Sequence, residues 1–386
     1  MATWGRTVLE RLRSPELEAL AAEPGVWVVG GAVRDALLGR EPREIDLAVE
    51  GDAAALARRL GTAPVVHDRF GTATVAGMDV ARIRTERYER PGALPAVAPA
   101  ATIDEDLGRR DFSVNAMAVR LADAAEAAWP GALEDLEARR LRVLHPRSFL
   151  DDPTRLLRLA RYAARLGFDV EPETDRLARE AIASDAPATV SGSRLGAELR
   201  LLAREPQPAA LGALAERGLG RALLGHFDFD GERVTAALGA LPEDGRAELA
   251  GLGAGLLGHP DPRPALDRLA FPAGERDVLA ACAGAARLAA ALEAARTPAD
   301  VAAVARAAPP EALAVAAALG PAEPVRRWLA EWRHVRLRIS GDDLVAAGLR
   351  GPAVGAGLRA ALAAVLDGRA PSREDELRAA LDTLGS

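Results

Sequence analysis

Three acidic side chains open strand-like runs in the N-terminal part of the chain: Glu44 and Asp46 in "REIDLAVEGD", and Asp79 in "DVARIR". In an extended strand, residues two apart point to one face, so Glu44 and Asp46 project together and Ile45 turns toward the core. Asp79, at the head of another strand, is placed to meet them from a neighbouring position. Carboxylates that close repel one another and resist losing water unless positive charge lies between them. Hard oxygen donors of this kind suit a divalent cation such as Mg²⁺, which takes a few carboxylates together with waters and phosphate oxygens. Two such ions about 3.5–4 Å apart orient an attacking hydroxyl and stabilise a leaving pyrophosphate.

The elements that must position these acids are legible around them. "VWVVGGAVRDALLG" reads as a strand, a tight turn and a short helix stopped by Gly39. Gly30 and Gly31 leave the backbone bare where its N–H groups can approach an anion, and Arg34 adds a bidentate phosphate contact. The pattern is neither a G-x-G-x-x-G nor a Walker loop. A phosphate grip followed by paired acids fits nucleotidyl transfer better than either half alone. "DAAALARRLG" is a helix with Asp52 as N-cap. "PVVHDRFGTATVAG" and "DVARIRT" supply three more strands, with a hairpin at Arg69-Phe70-Gly71. The proline-rich stretch over 86–106 reads as an unusually long loop, which in a compact domain tends to be functional. From about Ser148 onward, Ala/Leu/Arg/Glu segments between Gly/Pro breaks predict an irregular run of helices.

A chain of 386 residues predicts two or more domains. The net charge of −7 speaks against a nucleic-acid partner on average, but it conceals local stripes. All 49 basic residues are arginine; eight face two acids between Arg139 and Phe168, and five face one between Arg326 and Arg338. Such stripes neutralise phosphates or decorate solvated helix faces. The single cysteine, Cys282, makes neither an internal disulfide nor a thiolate metal cage. With no export signal in "MATWGRTVLERLRSPE" and no apolar run near the ~20 residues that span a bilayer, a cytoplasmic setting without membrane partners is expected. The five histidines lack metal-ligand spacing.

"GGAVRDALLGREPREIDLAVEGD" resembles the signature of the class II tRNA nucleotidyltransferases (CCA-adding enzymes) and the related bacterial poly(A) polymerases. "DLGRRDFSVNAMAV", "FLDDPTRLLRLARYAARLGF" and "ISGDDLVAAGLRGPAVGAGLRAAL" resemble further motifs of that family, in the same order. The resemblance implies an α+β protein. A polymerase-β-like head with a mixed sheet would span 1–145, a helical neck 146–205, and an RNA-binding helical body and tail 206–386. It implies Mg²⁺ on Glu44, Asp46 and Asp79, with the catalytic role on the same three. Gly30, Gly31, Arg34, Arg109, Arg110, Asp111, Asn115, Asp152, Arg155, Arg158 and Arg161 would bind the nucleotide. Asp111 would meet the ribose hydroxyls. Asp152 and Arg155, three apart and so neighbours on a helical face, would choose the base.

That choice has simple chemistry. Cytosine and adenine each show an amino donor beside a ring-nitrogen acceptor, which suits a carboxylate beside a guanidinium; uracil and guanine show the reverse. Each matched contact pair discriminates by roughly 1–3 kcal/mol, by analogy with base readout in DNA. The implied partners are tRNA, CTP and ATP, with no obligate protein partner evident. Poly(A) synthesis, addition of CC or A alone, and a non-catalytic RNA-binding relative are the rivals. One departure stands out: the family's first strand acid is aspartate, and here it is Glu44, one methylene longer. Trp328 and Trp332, four apart beside the second arginine stripe, pack on a helix or stack on RNA.

Overall fold

The computed structural model describes residues 4–59, 65–67, 72–75 and 78–382. The hairpin expected at Arg69-Phe70-Gly71 lies outside them. The chain divides into two compact units, residues 1–191 and 192–386. The helix Gly192–Ala203, which the family pattern assigns to the neck, thus falls in the second unit.

In the first unit the strands, in chain order, are β1 Val26–Val29, β2 Asp46–Val49, β3 Val65–His67, β4 Thr72–Val75, β5 Met78–Arg82, β6 Arg84–Arg87, β7 Ala96–Pro99, β8 Met117–Arg120, β9 Glu126–Ala128, β10 Arg140–Leu141 and β11 Asp169–Val170. Seven form one sheet in the order β3-β4-β5-β2-β1-β8-β9. β1 runs antiparallel to β2 and β8, whereas β2 and β5 are parallel, so the sheet is mixed. β1 is central because all four residues of "VWVV" are buried, which only a strand covered on both faces tolerates. Trp27, Val29, Ala48 and Ala118 share one face, and Ile83, Ile103 and Leu107 cover it. The expected mixed-sheet head with a helical remainder is what the chain forms.

Two expectations shift. β2 begins at Asp46, so Glu44 lies in the approach to the strand, and Ile45 is half-buried rather than a core side chain. The stretch over 86–106 is partly structured, with 88–95 remaining a connecting loop. β7 pairs antiparallel with β6, and Thr102 caps the helix Ile103–Leu107 by accepting from the Glu105 N–H.

The second unit, as described, is helical. Where its helices Ala247–Gly255 and Ala273–Ala283 meet, Gly253 makes room for Cys282, since a Cβ there would fall 2.6 Å from Sγ. Burial pushes the Cys282 thiol pKa up, with Glu311 adding to it, so the thiol is inert packing. Near the C-terminus, Ile339, Leu344, Leu349, Ala361 and Ala380 form a small core. There the buried Glu376 accepts from the backbone N–H groups of Arg338 and Ile339. Trp328 is core, and the helix carrying it ends at Ala330. Trp332 therefore does not share its helical face; the Arg327 guanidinium lies 4.5 Å from the Trp332 ring centre. The second arginine stripe is partly structural, with Arg333 gripping Asp244 and Arg338 paired to Glu376. No helix among the described residues is long and apolar enough to cross a membrane.

Candidate active site

The acids meet through sheet register. Asp46 of β2 stands directly opposite Asp79 of the parallel strand β5, on the same face. Adjacent strands lie about 4.8 Å apart, so the two carboxylates are neighbours without any loop to place them. Asp46 keeps solvent contact, yet its carboxyl is raised above its ordinary pKa. Partial burial is the main cause, Glu44 and Asp79 add to it, and the charges of Arg110 and Arg158 oppose it. Thr74 donates from Oγ1 to Asp79 Oδ1 at 2.8 Å. Among the described residues, no three His, Cys, Asp or Glu side chains close into a metal cage by themselves. Glu44, Asp46 and Asp79 are thus not gathered as a set of three; what the register brings together is the pair Asp46 and Asp79. A paired set of hard carboxylate oxygens, with the charges of Glu44 and Asp79 acting on Asp46, is a donor set that fits a divalent cation completed by water and phosphate oxygens.

Facing the acids is a well of guanidinium groups. Gly30 has φ +71° and ψ −127°, a conformation open essentially to glycine alone, and a Cβ there would fall 2.6 Å from the Arg110 guanidinium. The glycine therefore makes space for Arg110, not only for a ligand. Its own N–H is committed to the Met117 carbonyl at 3.0 Å, so it is not the anion donor the motif suggests. A Cβ on Gly31 would make ordinary contact with the Arg34 guanidinium. Arg110 is held by Asp106 at 3.0 Å, and its buried Nε finds no hydrogen-bond partner among the described residues.

Arg34, expected to contact phosphate, is a buried and well-partnered side chain. It is 1% exposed, pairs with Asp35 at 2.8 Å, donates to Asn115 Oδ1 and lies 5.4 Å from the Tyr162 ring centre. Asn115 in turn donates to Asp111 Oδ1 at 3.0 Å, and Arg158 bonds Asp111 Oδ2. Burial would raise the Asp111 carboxyl, but the Arg158 charge and the Asn115 hydrogen bond override it and hold it well below the usual carboxylate range. Arg158 and Arg161 flank the Tyr162 ring at 5.5 and 5.1 Å, and Phe112 meets it edge-on. Asp35 and Tyr162 thus organise the well, although no spacing rule singles them out.

Asp152 and Arg155, the pair expected to select the base, sit differently from their sequence pattern. The helix runs Thr154–Leu166, so Asp152 precedes it in extended conformation instead of sharing its face with Arg155. Asp152 Oδ1 accepts from the backbone N–H and the hydroxyl of Thr154, at 3.1 and 2.7 Å. Arg155 is buried and donates to Ser148 Oγ and to the Arg109 carbonyl, both at 2.7 Å. Two of its five donors are so used. Tyr88 feels both charges. Its phenol is pushed up to about 12, chiefly by burial and Glu86, with Asp152 raising it and Arg155 lowering it. Gly92, in the turn between β6 and β7, donates to the Leu150 and Asp151 carbonyls just before Asp152.

Gly30→Ala tests the well. The strained backbone should cost on the order of 1–3 kcal/mol of stability. The added methyl would also crowd Arg110, so a thermal melt should fall below that of the wild type; an unchanged melt would deny that Arg110 occupies the space Gly30 leaves.

Residues 26–142 match the Poly A polymerase head domain. The chain is 42% identical over 195 residues to an A-adding tRNA nucleotidyltransferase of Geobacter sulfurreducens, a match covering 47% of this chain and 22% of that protein. It is 44% identical over 197 residues to a CC-adding tRNA nucleotidyltransferase of Deinococcus radiodurans, covering 47% of this chain and 50% of that protein. The chain thus spans half or less of the length of these relatives. It is similar across 99% of both chains to the structure of a CCA-adding enzyme in apo form II, with 28% identity and a TM-score of 0.85.

Proposed function

We propose, on the premise that the chain belongs to the class II tRNA nucleotidyltransferase family, that it adds nucleotides from CTP and ATP to the 3′ end of tRNA and releases pyrophosphate. The observation that carries this reading is the register that sets Asp46 beside Asp79, with Arg110 and Arg158 near enough to act on Asp46. Such an arrangement puts negative oxygens and positive guanidiniums on two sides of one space, as a triphosphate and a hydroxyl nucleophile require.

Enzymes of this family use divalent metal, and Mg²⁺ would be held here by Asp46, Asp79 and Glu44, supplying activation of the hydroxyl and charge relief on the leaving pyrophosphate. Arg110, with its unpartnered Nε, would receive triphosphate oxygens. Asp111, fixed by Arg158 and Asn115, would accept from the ribose hydroxyls. Asp152 would accept from the amino group of cytosine or adenine while Arg155 donates to the ring nitrogen; uracil and guanine would set like against like. Arg34 would contribute by holding Asn115 rather than by touching phosphate. A head over 1–145, a neck over 146–205 and an RNA-gripping body and tail beyond divide the labour.

Full CCA addition is the preferred product. The A-adding and CC-adding relatives are about equally similar, so identity does not choose between them. In favour of it, the stretch over 86–106, which holds the β6–β7 hairpin, matches in sequence position a mobile element that the family resemblance associates with addition of the final A. Incubating the protein with tRNA lacking its last three nucleotides, with CTP alone, ATP alone and both, and sizing the products tests this. Two additions with CTP and a third only when ATP is present are expected. A long ATP-only product would establish poly(A) synthesis, and no extension at all would leave a non-catalytic RNA-binding protein.

A further inference from the structure

Glu86 is a nearly buried acid for which the reaction outlined above has no use. Its side chain is 9% exposed, yet it collects donors from three directions. Oε1 accepts from the Arg84 guanidinium at 3.0 Å and from Arg109 Nη1 at 3.2 Å, and Oε2 accepts from the Tyr88 hydroxyl at 3.1 Å. The other edge of Arg109 is pinned by Asp106, itself 1% exposed, at 2.9 Å. Arg109 is therefore clamped between two acids, one from β6 and one from the helix Ile103–Leu107. A clamped side chain fixes its own backbone, and the Arg109 carbonyl is the acceptor that holds Arg155 Nη2.

We propose that Glu86 is a positioning residue for base selection: it immobilises Arg109, whose carbonyl aims the guanidinium of Arg155. Arg155 is the longer member of the selecting pair, and a guanidinium on a flexible stem discriminates only if its plane is held. Ser148 holds one nitrogen and the Arg109 carbonyl the other. Loosening the second hold lets the plane tilt, so a mismatched carbonyl-and-N–H edge is no longer rejected. Tyr88 takes part through the same carboxylate, which ties its ring to the side of the site where Asp152 and Arg155 lie. The positioning role acts wholly through Arg155, which separates it from a general contribution to folding.

This inference rests on the proposed reading of Arg155, and the test separates the two. Single-nucleotide extension of tRNA with CTP and with UTP would be measured for the wild-type chain, Glu86→Ala, Glu86→Gln, Arg155→Ala and the Glu86→Ala/Arg155→Ala pair. The CTP-over-UTP preference in kcat/KM should fall roughly tenfold in Glu86→Ala, the scale of one lost contact pair. Glu86→Gln, which keeps an acceptor oxygen for Arg109 and removes any doubt about folding, should recover part of that. In the double variant the preference should match Arg155→Ala alone, because the two act on one contact. An unchanged preference in both Glu86 variants, or losses that multiply in the double variant, would overturn the positioning role while leaving the activity intact. A wild-type chain that extends tRNA with neither nucleotide would overturn the functional reading and this inference with it.

Discussion

Asp46→Ala is expected to abolish nucleotide addition while the fold persists. The residue begins β2 at the sheet's exposed end, with Leu47, Ala48 and Val49 carrying the buried part of the strand, so its side chain contributes little to packing. Its proton affinity is raised chiefly by partial burial, with Glu44 and Asp79 adding to it, so its charge does not serve stability. On the proposed reading Asp46 would be one ligand of a cation supplying several kcal/mol to the transition state, and its loss would correspond to a rate loss on the order of a thousandfold. Extension of tRNA at saturating CTP, alongside a thermal melt to confirm folding, measures this. A variant that melts normally and retains more than a tenth of the activity would remove Asp46 from the chemistry.

Asp111→Asn should be the most damaging conservative change to the well itself. The substitution removes the charge opposing Arg158 and leaves Arg34, Arg155, Arg158 and Arg161 with less to balance them. Breaking a buried pair by removing one partner costs about 3–5 kcal/mol, and the partial exposure of Arg158 places this case toward the lower end. The pH dependence has a definite sign. Because the folded Asp111 carboxyl lies below its ordinary value near 3.9, its contribution is complete above that value and is lost as pH falls toward the folded one. Urea unfolding of wild type and variant should therefore show a full stability gap from pH 7 to 5 that narrows below about pH 4. A gap that stayed constant down to pH 3 would deny Asp111 its role as a charged anchor.

The two ends of the site were unequally legible. Asp46 and Asp79 were visible as acids near strand starts, a local property, whereas the two-residue period that linked Glu44 to Asp46 does not apply because β2 begins only at Asp46. Asp152 and Arg155 were found as a pair, but their spacing implied a shared helical face that the chain does not form, since Pro153 follows Asp152 and the residue before a proline is held extended. The surroundings of Arg34 were hidden for a related reason. Its place in the first helix was clear, but whether a guanidinium there faces a ligand or the interior depends on Asp35, Asn115 and Tyr162, two of which lie far along the chain. Glu86 and Tyr88 carried no signal at all, because a hub of hydrogen bonds has no period.

By itself, then, the sequence determined a mixed α/β head followed by helices, the acid-bearing strands, the glycine turn and the family whose motifs they resemble. These depend on alternation, capping and turn chemistry, which act over a few residues. Only the tertiary structure decided which arginines line the well and which are buried struts, that Asp46 and Asp79 stand side by side, and that Arg109 hands its carbonyl to Arg155. Those outcomes depend on strand register and on burial, and a guanidinium's role is set by which carboxylates the fold brings against it rather than by its neighbours in the chain.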